Sequence, residues 1–183
     1  KMNRIMIFID AEYAVQKMKE IRGKKRPVRR KDIKWKNLIR WITGRRTLVR
    51  CCYYSSEFSK DENPQTFNDQ HEYFKNLKIE IPYFQVKLGR LVHVSGGWIQ
   101  KGVDVKISLD MFSKAVGNQY DTAALVTGDS DFVEVIGEVR EHYGKHVELY
   151  TFDNSIHEAL MLAPDRHAII TSQIGDRFKF WEE

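Results

Sequence analysis

The chain has 183 residues, of which 30 are Lys or Arg and 25 are Asp or Glu, and its formal net charge is +5. This length suits one domain with its own core, and no apolar run approaches the roughly 18 residues that span a membrane. The two cysteines, Cys51 and Cys52, are adjacent, which excludes a disulfide framework and a cysteine zinc site. We therefore expect a single domain over residues 1–183, in a reducing cytoplasm and without a membrane partner.

The elements can be predicted in chain order from periodicity and breakers. In the first part we expect a strand at 4–9, helices at 11–22 and 31–43, a strand at 47–54, a helix from Pro64, a strand at 78–84, a hairpin or projecting loop within 85–100 and a helix at 103–117. In the second part we expect a strand at 122–127, a helix at 131–143, a strand at 147–152, a short helix at 154–162 and a strand at 168–171. Alternating strands and helices indicate an α/β fold with a mainly parallel sheet.

The second helix shows the clearest pattern. Trp35, Leu38, Ile39 and Ile42 follow the i, i+3, i+4, i+7 spacing of one buried stripe, and Gly44 suits the C-cap. The tail at 173–183 contains Phe178, Phe180 and Trp181. It could dock a partner protein, but we expect it to pack on its own domain.

The net charge hides a strong asymmetry. Residues 17–50 contain 15 Lys or Arg and only two acids, a local charge of +13, while the rest of the chain carries −8. The segment 24–31 is the densest part. A basic block of this kind indicates a polyanionic partner.

Acidic residues follow two of the predicted strands. Asp10 follows the first strand, and Asp129 follows the strand at 122–127. Active groups gather at the carboxyl ends of parallel strands, so neighbouring strands would bring both carboxylates to one crevice, where Mg²⁺ or Mn²⁺ could bind between them.

Asp10 could instead cap the next helix, and Asp131 with Glu134 matches a capping box, so we favour capping for Asp131. Capping by Asp131 would leave Asp129 free for function.

A third acidic segment runs from 101 to 110. Gly102 permits a sharp entry to a helix, and Asp104 lies in its first turn, where the helix dipole favours a carboxylate. Asp110 lies roughly 120° around the helix axis from Asp104. The two cannot both point into one small site, so we expect Asp110 to be a supporting or structural acid.

Three blocks, in order, resemble the signatures of the NYN domain. They are Phe8-Ile9-Asp10, then Lys101-Gly102-Val103-Asp104-Val105 followed by Asp110, and then Thr127-Gly128-Asp129-Ser130-Asp131-Phe132. The later Gly144-Lys145-His146-Val147 is also similar to a strand of that family. The resemblance covers about residues 3–172. It implies a Rossmann-like, PIN-like three-layer α/β/α sandwich whose acidic cluster binds Mg²⁺ or Mn²⁺ and cleaves RNA.

Position by position, the resemblance implies that Asp10, Asp104, Asp129 and Asp131 are the catalytic and metal-binding acids. Further supporting residues are Asp110, Thr127, Ser130 and Glu12; for Thr127 and Ser130, ordinary loop hydrogen bonding is the alternative. The family usually has Asn three residues after the first Asp, whereas this chain has Tyr13. That departure puts substrate positioning in question more than metal binding.

We therefore expect a metal-dependent ribonuclease, an endonuclease acting on single-stranded or structured RNA. The expected nucleic-acid-binding residues are Lys24, Lys25, Arg26, Arg29, Arg30, Lys31 and Lys101. Phosphate contacts by such residues give salt-dependent affinity. Related nuclease domains often pair, so a homodimer is a further expectation.

Two other functions remain open on sequence. One is a catalytically weakened NYN module that binds nucleic acid or regulates, which Tyr13 keeps in consideration. The other is a haloacid-dehalogenase-like phosphatase with Asp10 as nucleophile, although the acid two residues later is Glu12 rather than Asp.

Overall fold

The computed structural model describes residues 3–23, 27–61, 63–94, 97–153 and 155–182. The strands are β1 (Arg4–Asp10), β2 (Thr47–Glu57), β3 (Phe84–Val94), β4 (Gly97–Lys101), β5 (Thr122–Val126), β6 (His146–Thr151) and β7 (Arg166–Ile169). The helices are α1 (Ala11–Arg22), α2 (Trp35–Thr43), α3 (Pro64–Glu80), α4 (Val103–Val116), α5 (Val133–Glu141), α6 (Glu158–Leu162) and α7 (Ser172–Phe178).

One sheet contains all seven strands, in the order β4-β3-β2-β1-β5-β6-β7. Six of them are parallel, and β4 closes one edge by pairing antiparallel with β3. β1 lies at the centre, and its residues from Ile5 to Ile9 are all at most 1% exposed. Such complete burial arises because helices cover both faces of a parallel sheet.

Two cores lie on the two faces of the sheet. On one face, α1, α2 and α3 pack against the strands together with the end of the chain. On the other face, α4, α5 and α6 pack against them. The expected three-layer α/β/α sandwich is therefore confirmed. Within the described ranges, no helix is long and apolar enough to cross a membrane.

The predicted second helix is confirmed from Trp35 onward, and Trp35, Leu38, Ile39 and Ile42 form its buried stripe. A short 3₁₀ turn, Arg30–Asp32, stands where the prediction began this helix. Gly44 follows the helix with a φ of 57°. This left-handed conformation favours glycine and explains the stop.

The strand predicted at 78–84 is wrong. Helix α3 continues to Glu80, and β3 begins only at Phe84. Ile79, which completed the apparent alternation, is 74% exposed on the helix. The apparent alternation of apolar and polar residues at 78–84 combines the last turn of α3 with its C-cap residue, Ile81.

The tail packs on its own domain, as expected. Thr171 caps α7 by accepting a hydrogen bond from the N–H of Ile174 (3.4 Å). Beyond the helix, Phe180 and Trp181 are buried in the same core as α2. Trp181 also forms a β-bridge with Ile33. The aromatic side chains that could dock a partner protein are thus buried in the core of their own domain.

Candidate metal centre and nucleic-acid interface

The two acids that follow strands come together as predicted. β1 pairs with β5 from Ile5 with Thr122 to Ile9 with Val126. Asp10 ends β1, and Asp129 follows shortly after β5. The chain moves from β1 to β2 on one side and resumes at β5 on the other, so the crevice between these strands is the switch point of the sheet.

The carboxylate of Asp10 is held by two hydrogen bonds. One oxygen accepts from the backbone N–H of Tyr13 (3.2 Å), which caps α1. The other lies 3.5 Å from the hydroxyl of Thr127, which in turn accepts from the N–H of Asp129 (3.3 Å). Thr127 is fully buried and links the two strand ends. Asp10 therefore caps a helix and also faces the crevice.

The carboxylates of this crevice repel one another. Burial raises the pKa of Asp10 to about 6; the N–H of Tyr13 opposes this effect, and the charges of Asp104, Glu12 and Asp129 add to it. Burial also raises the pKa of Asp104, with further contributions from Asp129 and Asp131. Asp104 and Asp129 act on the carboxyl of Asp10, and Asp129 acts on that of Asp104, so the three predicted segments converge on one acidic cluster.

The capping role expected of Asp131 belongs to Asp129. An oxygen of Asp129 accepts from the N–H of Asp131 (2.9 Å) and caps a 3₁₀ turn at Ser130–Phe132. Helix α5 then begins at Val133 with no side-chain cap. Asp131 is exposed inside this turn. The sequence pattern missed the extra turn, which shifts the helix start by two residues.

Asp110 has a separate environment. Its oxygens accept from Tyr54 Oη (2.6 Å), Lys87 Nζ (2.7 Å) and Lys114 Nζ (3.0 Å). Burial alone would raise the pKa of Asp110, but these three donors outweigh it and the pKa is lowered. The expectation that Asp104 and Asp110 point in different directions agrees with these contacts.

The cluster fits a hard divalent cation with an incomplete protein shell. Among the described residues, no three His, Cys, Asp or Glu side chains are placed to hold a metal ion by themselves. Mg²⁺ is often bound through one or two carboxylates, with water and substrate phosphate completing its shell. The oxygens of Asp10, Asp104 and Asp129 suit that chemistry, because a cation between them would relieve their repulsion.

Tyr13 has a structural role that the sequence did not reveal. Its hydroxyl accepts from the N–H of Phe152 (3.4 Å), and its ring lies 5.9 Å from that of Phe152. The ring also covers Gly128, where an added Cβ would lie 2.6 Å from Tyr13 Cε2. Tyr13 thus packs under the loop that carries Asp129. The contact is long-range in sequence, so local motifs could not indicate it.

The predicted basic residues occupy different environments. Lys24, Lys25 and Arg26 lie outside the described residues. Arg29 pairs with Asp32 and is 70% exposed, while Lys31 and Lys101 are exposed. Arg30 instead turns inward to pair with Glu12 and donates to Ser55 Oγ (3.2 Å). Glu12, proposed as a supporting acid, is therefore held by a cation beside the crevice.

Acids from the far end of the chain neutralise part of the basic block. The pairs are Arg22 with Asp176 (3.0 Å), Lys34 with Glu182 (2.5 Å) and Arg46 with Glu148 (2.9 Å). The local charge of +13 counts none of these partners. The cationic surface available to a polyanion is consequently smaller than the sequence suggests.

The fold and the site together form a mainly parallel sheet between two layers of helices, with carboxylates at its switch point. The family model of the NYN domain matches residues 4–171, nearly the range expected, and the chain belongs to the NYN domain family. Membership implies a PIN-like nuclease family, whose members are generally hydrolases and typically use divalent metal ions.

A solved structure supports the fold. The chain resembles a protein of unknown function from Vibrio parahaemolyticus with a TM-score of 0.68 and 20% identity, over 93% of this chain and 94% of that one. No curated protein matches the sequence.

Proposed function

We propose that residues 1–183 form one metal-dependent ribonuclease domain that hydrolyses phosphodiester bonds at the acidic cluster. The observation that supports this most is the placement of Asp10 and Asp129 at the switch point between β1 and β5, where burial, together with neighbouring carboxylates, raises the pKa values of Asp10 and Asp104. Buried carboxyl groups with raised pKa values are expected where a cation binds, because the cation stabilises their charged form.

In this proposal one or two carboxylates of Asp10, Asp104 and Asp129 would contact Mg²⁺ or Mn²⁺ directly and the rest would do so through water, with Asp131 at the exposed rim. The ion, when bound, supplies activation of water and stabilisation of charge on the phosphate. Thr127 acts through its hydrogen bonds, because it fixes the carboxylate of Asp10 and the backbone of Asp129 relative to each other. Ser130 lies in the turn between Asp129 and Asp131 and remains a supporting candidate.

The test is cleavage of single-stranded RNA and DNA with Mg²⁺ or Mn²⁺, comparing the wild type with Asp129→Asn. We expect the variant to lose at least about a hundredfold in rate, the scale of removing a preorganised charged group from an active site. Glu141→Gln is the matched control, since Glu141 is exposed at the far end of α5. Unchanged cleavage by Asp129→Asn would refute the site assignment.

The two alternatives give different results in the same assay. A catalytically weakened module would bind RNA without metal-dependent cleavage. A phosphatase would release phosphate from small phosphomonoesters, but it would need a free acid two residues after Asp10. Glu12 stands there and is engaged by Arg30 and Ser55 (3.0 Å to Ser55 Oγ). These contacts favour the nuclease.

The homodimer and the cytoplasmic location stay predictions. The outer face of α4 carries exposed apolar side chains at helical spacing: Val105, Leu109, Phe112 and Val116. Light scattering on the purified chain tests the dimer. Cys51 and Cys52 are buried free thiols.

A further inference from the structure

A cavity of about 760 Å³ opens beside the acidic cluster. Its walls come from the first turn of α1, the 3₁₀ turn before α2, the segment after β2 and the first half of α3. The side chains that matter here are Glu12, Arg29, Arg30, Lys31, Phe58 and Tyr73. We call this the α3 cavity. Its volume lies in the range of roughly 300–1,000 Å³ that is typical of small-molecule sites.

The α3 cavity and the acidic cluster share a wall. Glu12 lines the cavity, lies two residues after Asp10, and its charge contributes to the raised pKa of Asp10. Glu12 is itself paired with Arg30. One edge of the α3 cavity therefore lies in the first turn of the helix that Asp10 caps.

Two hydrogen bonds hold the aromatic wall on the α3 side. The hydroxyl of Tyr73 accepts from Trp35 Nε1 (2.8 Å) and donates to the carbonyl of Arg30 (3.3 Å). Trp35 is 1% exposed, so this anchor is part of the core. The ring of Tyr73 is consequently fixed before any ligand arrives.

The segment that carries Phe58 is held in a similar way. Gln70 of α3 donates through Nε2 to the carbonyl of Ser56 (2.8 Å) and accepts through Oε1 from the N–H of Phe58 (3.2 Å). One amide thus joins the helix to the chain leaving β2. Preorganised aromatic side chains lose little entropy when they bind a planar ring.

Cations border the aromatic residues. Lys31 is exposed, and Arg29 is 70% exposed although its Nε and Nη2 donate to Asp32 (2.9 and 3.1 Å). A phosphate at this edge would share Arg29 with Asp32. Two carboxylates, Glu12 and Asp69, also line the cavity. Glu12 is paired with Arg30, and Lys31 and Arg29 remain as cations in the lining of the cavity together with Asp69.

We propose that the α3 cavity is a nucleotide subsite, which receives one unpaired nucleotide adjacent to the phosphate that is cut. The base lies against Phe58 and Tyr73, and a flanking phosphate contacts Lys31 and Arg29. Aromatic faces accept any base, while cations contact the backbone. The subsite thus selects single strands over duplexes and carries little sequence preference. This inference rests on the nuclease function proposed above.

The test is equilibrium binding in EDTA, which prevents cleavage, measured by fluorescence anisotropy. The probes are a single-stranded oligouridylate of about ten nucleotides and an oligomer of equal length without bases. We expect Phe58→Ala to weaken oligouridylate binding by about fivefold or more, and to leave binding of the abasic oligomer within about twofold. If Phe58→Ala does not fold, Phe58→Leu keeps the apolar contact and removes the ring.

The cation gives a second readout. Lys31→Gln should weaken both probes and reduce the slope of log affinity against log salt by about 0.7. Lys78→Gln is the matched control, because Lys78 is an exposed lysine at the opposite end of α3. It should change neither affinity nor slope.

The outcomes separate this inference from the proposed function. Equal losses on both probes, or no loss on oligouridylate, would overturn the subsite even if Asp129→Asn abolishes cleavage. If the wild type shows no metal-dependent cleavage but Phe58→Ala still weakens only the base-containing probe, the nuclease function fails and the nucleotide subsite stands. Preferential binding of duplex RNA by the wild type would also overturn the subsite.

Discussion

Replacing Asp10 with asparagine should stabilise the metal-free protein at neutral pH. An asparagine side chain keeps an oxygen that can accept from the N–H of Tyr13, so the cap of α1 is retained. It removes the charge that burial and the neighbouring carboxylates disfavour. The expected cost to activity and the expected gain in stability therefore come from the same carboxylate.

The magnitude follows from the pKa difference. The ordinary pKa of this carboxyl is 3.8, and in the folded protein it is about 6. The folded state therefore holds the proton more tightly, so the wild type loses stability as the pH rises between these values. Above the folded pKa the full penalty applies, about 3 kcal/mol for a difference of roughly two pH units. Below the unfolded pKa there is no penalty.

The assay is urea unfolding in EDTA, followed by tryptophan fluorescence at about pH 7.5 and at about pH 4. We expect Asp10→Asn to raise the free energy of unfolding by up to about 3 kcal/mol at the higher pH and to change it little at the lower pH. Asp121→Asn is the control of opposite sign. Arg4 holds the pKa of Asp121 at about 2, so this substitution should destabilise at the higher pH. Unchanged or reduced stability of Asp10→Asn at the higher pH would refute the reasoning.

Three further substitutions test contacts within the domain, each by urea unfolding. Gly128→Ala should destabilise by about 1–3 kcal/mol through its clash with Tyr13; in the double variant with Tyr13→Asn, additive losses would contradict this contact. Trp181→Ala should cost about 3–5 kcal/mol, since Trp181 is 3% exposed, and a loss below about 1 kcal/mol would exclude its core role. Arg46→Met should cost about 1–3 kcal/mol because it removes the nearest cation (2.9 Å) from the buried Glu148 and leaves Arg166 at 3.6 Å, and Glu148→Gln should restore part of that loss.

Sequence alone was sufficient where the signal is local or topological. The stripe of α2 and its glycine stop could be predicted because the pattern and the breaker lie within one helix. The meeting of Asp10 and Asp129 could be predicted because parallel strands end at one edge, and the structure only had to show that β1 and β5 are neighbours. The resemblance to the NYN domain indicated Asp104, whose charge raises the pKa of Asp10 and whose own pKa is raised by Asp129.

Prediction from the sequence failed for features that depend on contacts between residues far apart in the chain. Tyr13 was interpreted only as a departure from a motif, because its partner Phe152 lies 139 positions away. The charge of the basic block was overestimated because its neutralising acids, Asp176 and Glu148 among them, lie near the other end of the chain. The sequence pattern predicts Asp131 as the N-cap of a helix, whereas Asp129 caps a 3₁₀ turn that precedes the helix, because the two kinds of turn look alike in sequence.

The buried end of the tail also constrains the timing of folding. Phe180 and Trp181 complete the core that Trp35 and Ile39 begin. A nascent chain therefore cannot finish that face of the sheet until residue 181 has left the ribosome. At about 5–20 residues per second, the apolar side of α2, which ends at Thr43, waits roughly 7–28 seconds for its last partners.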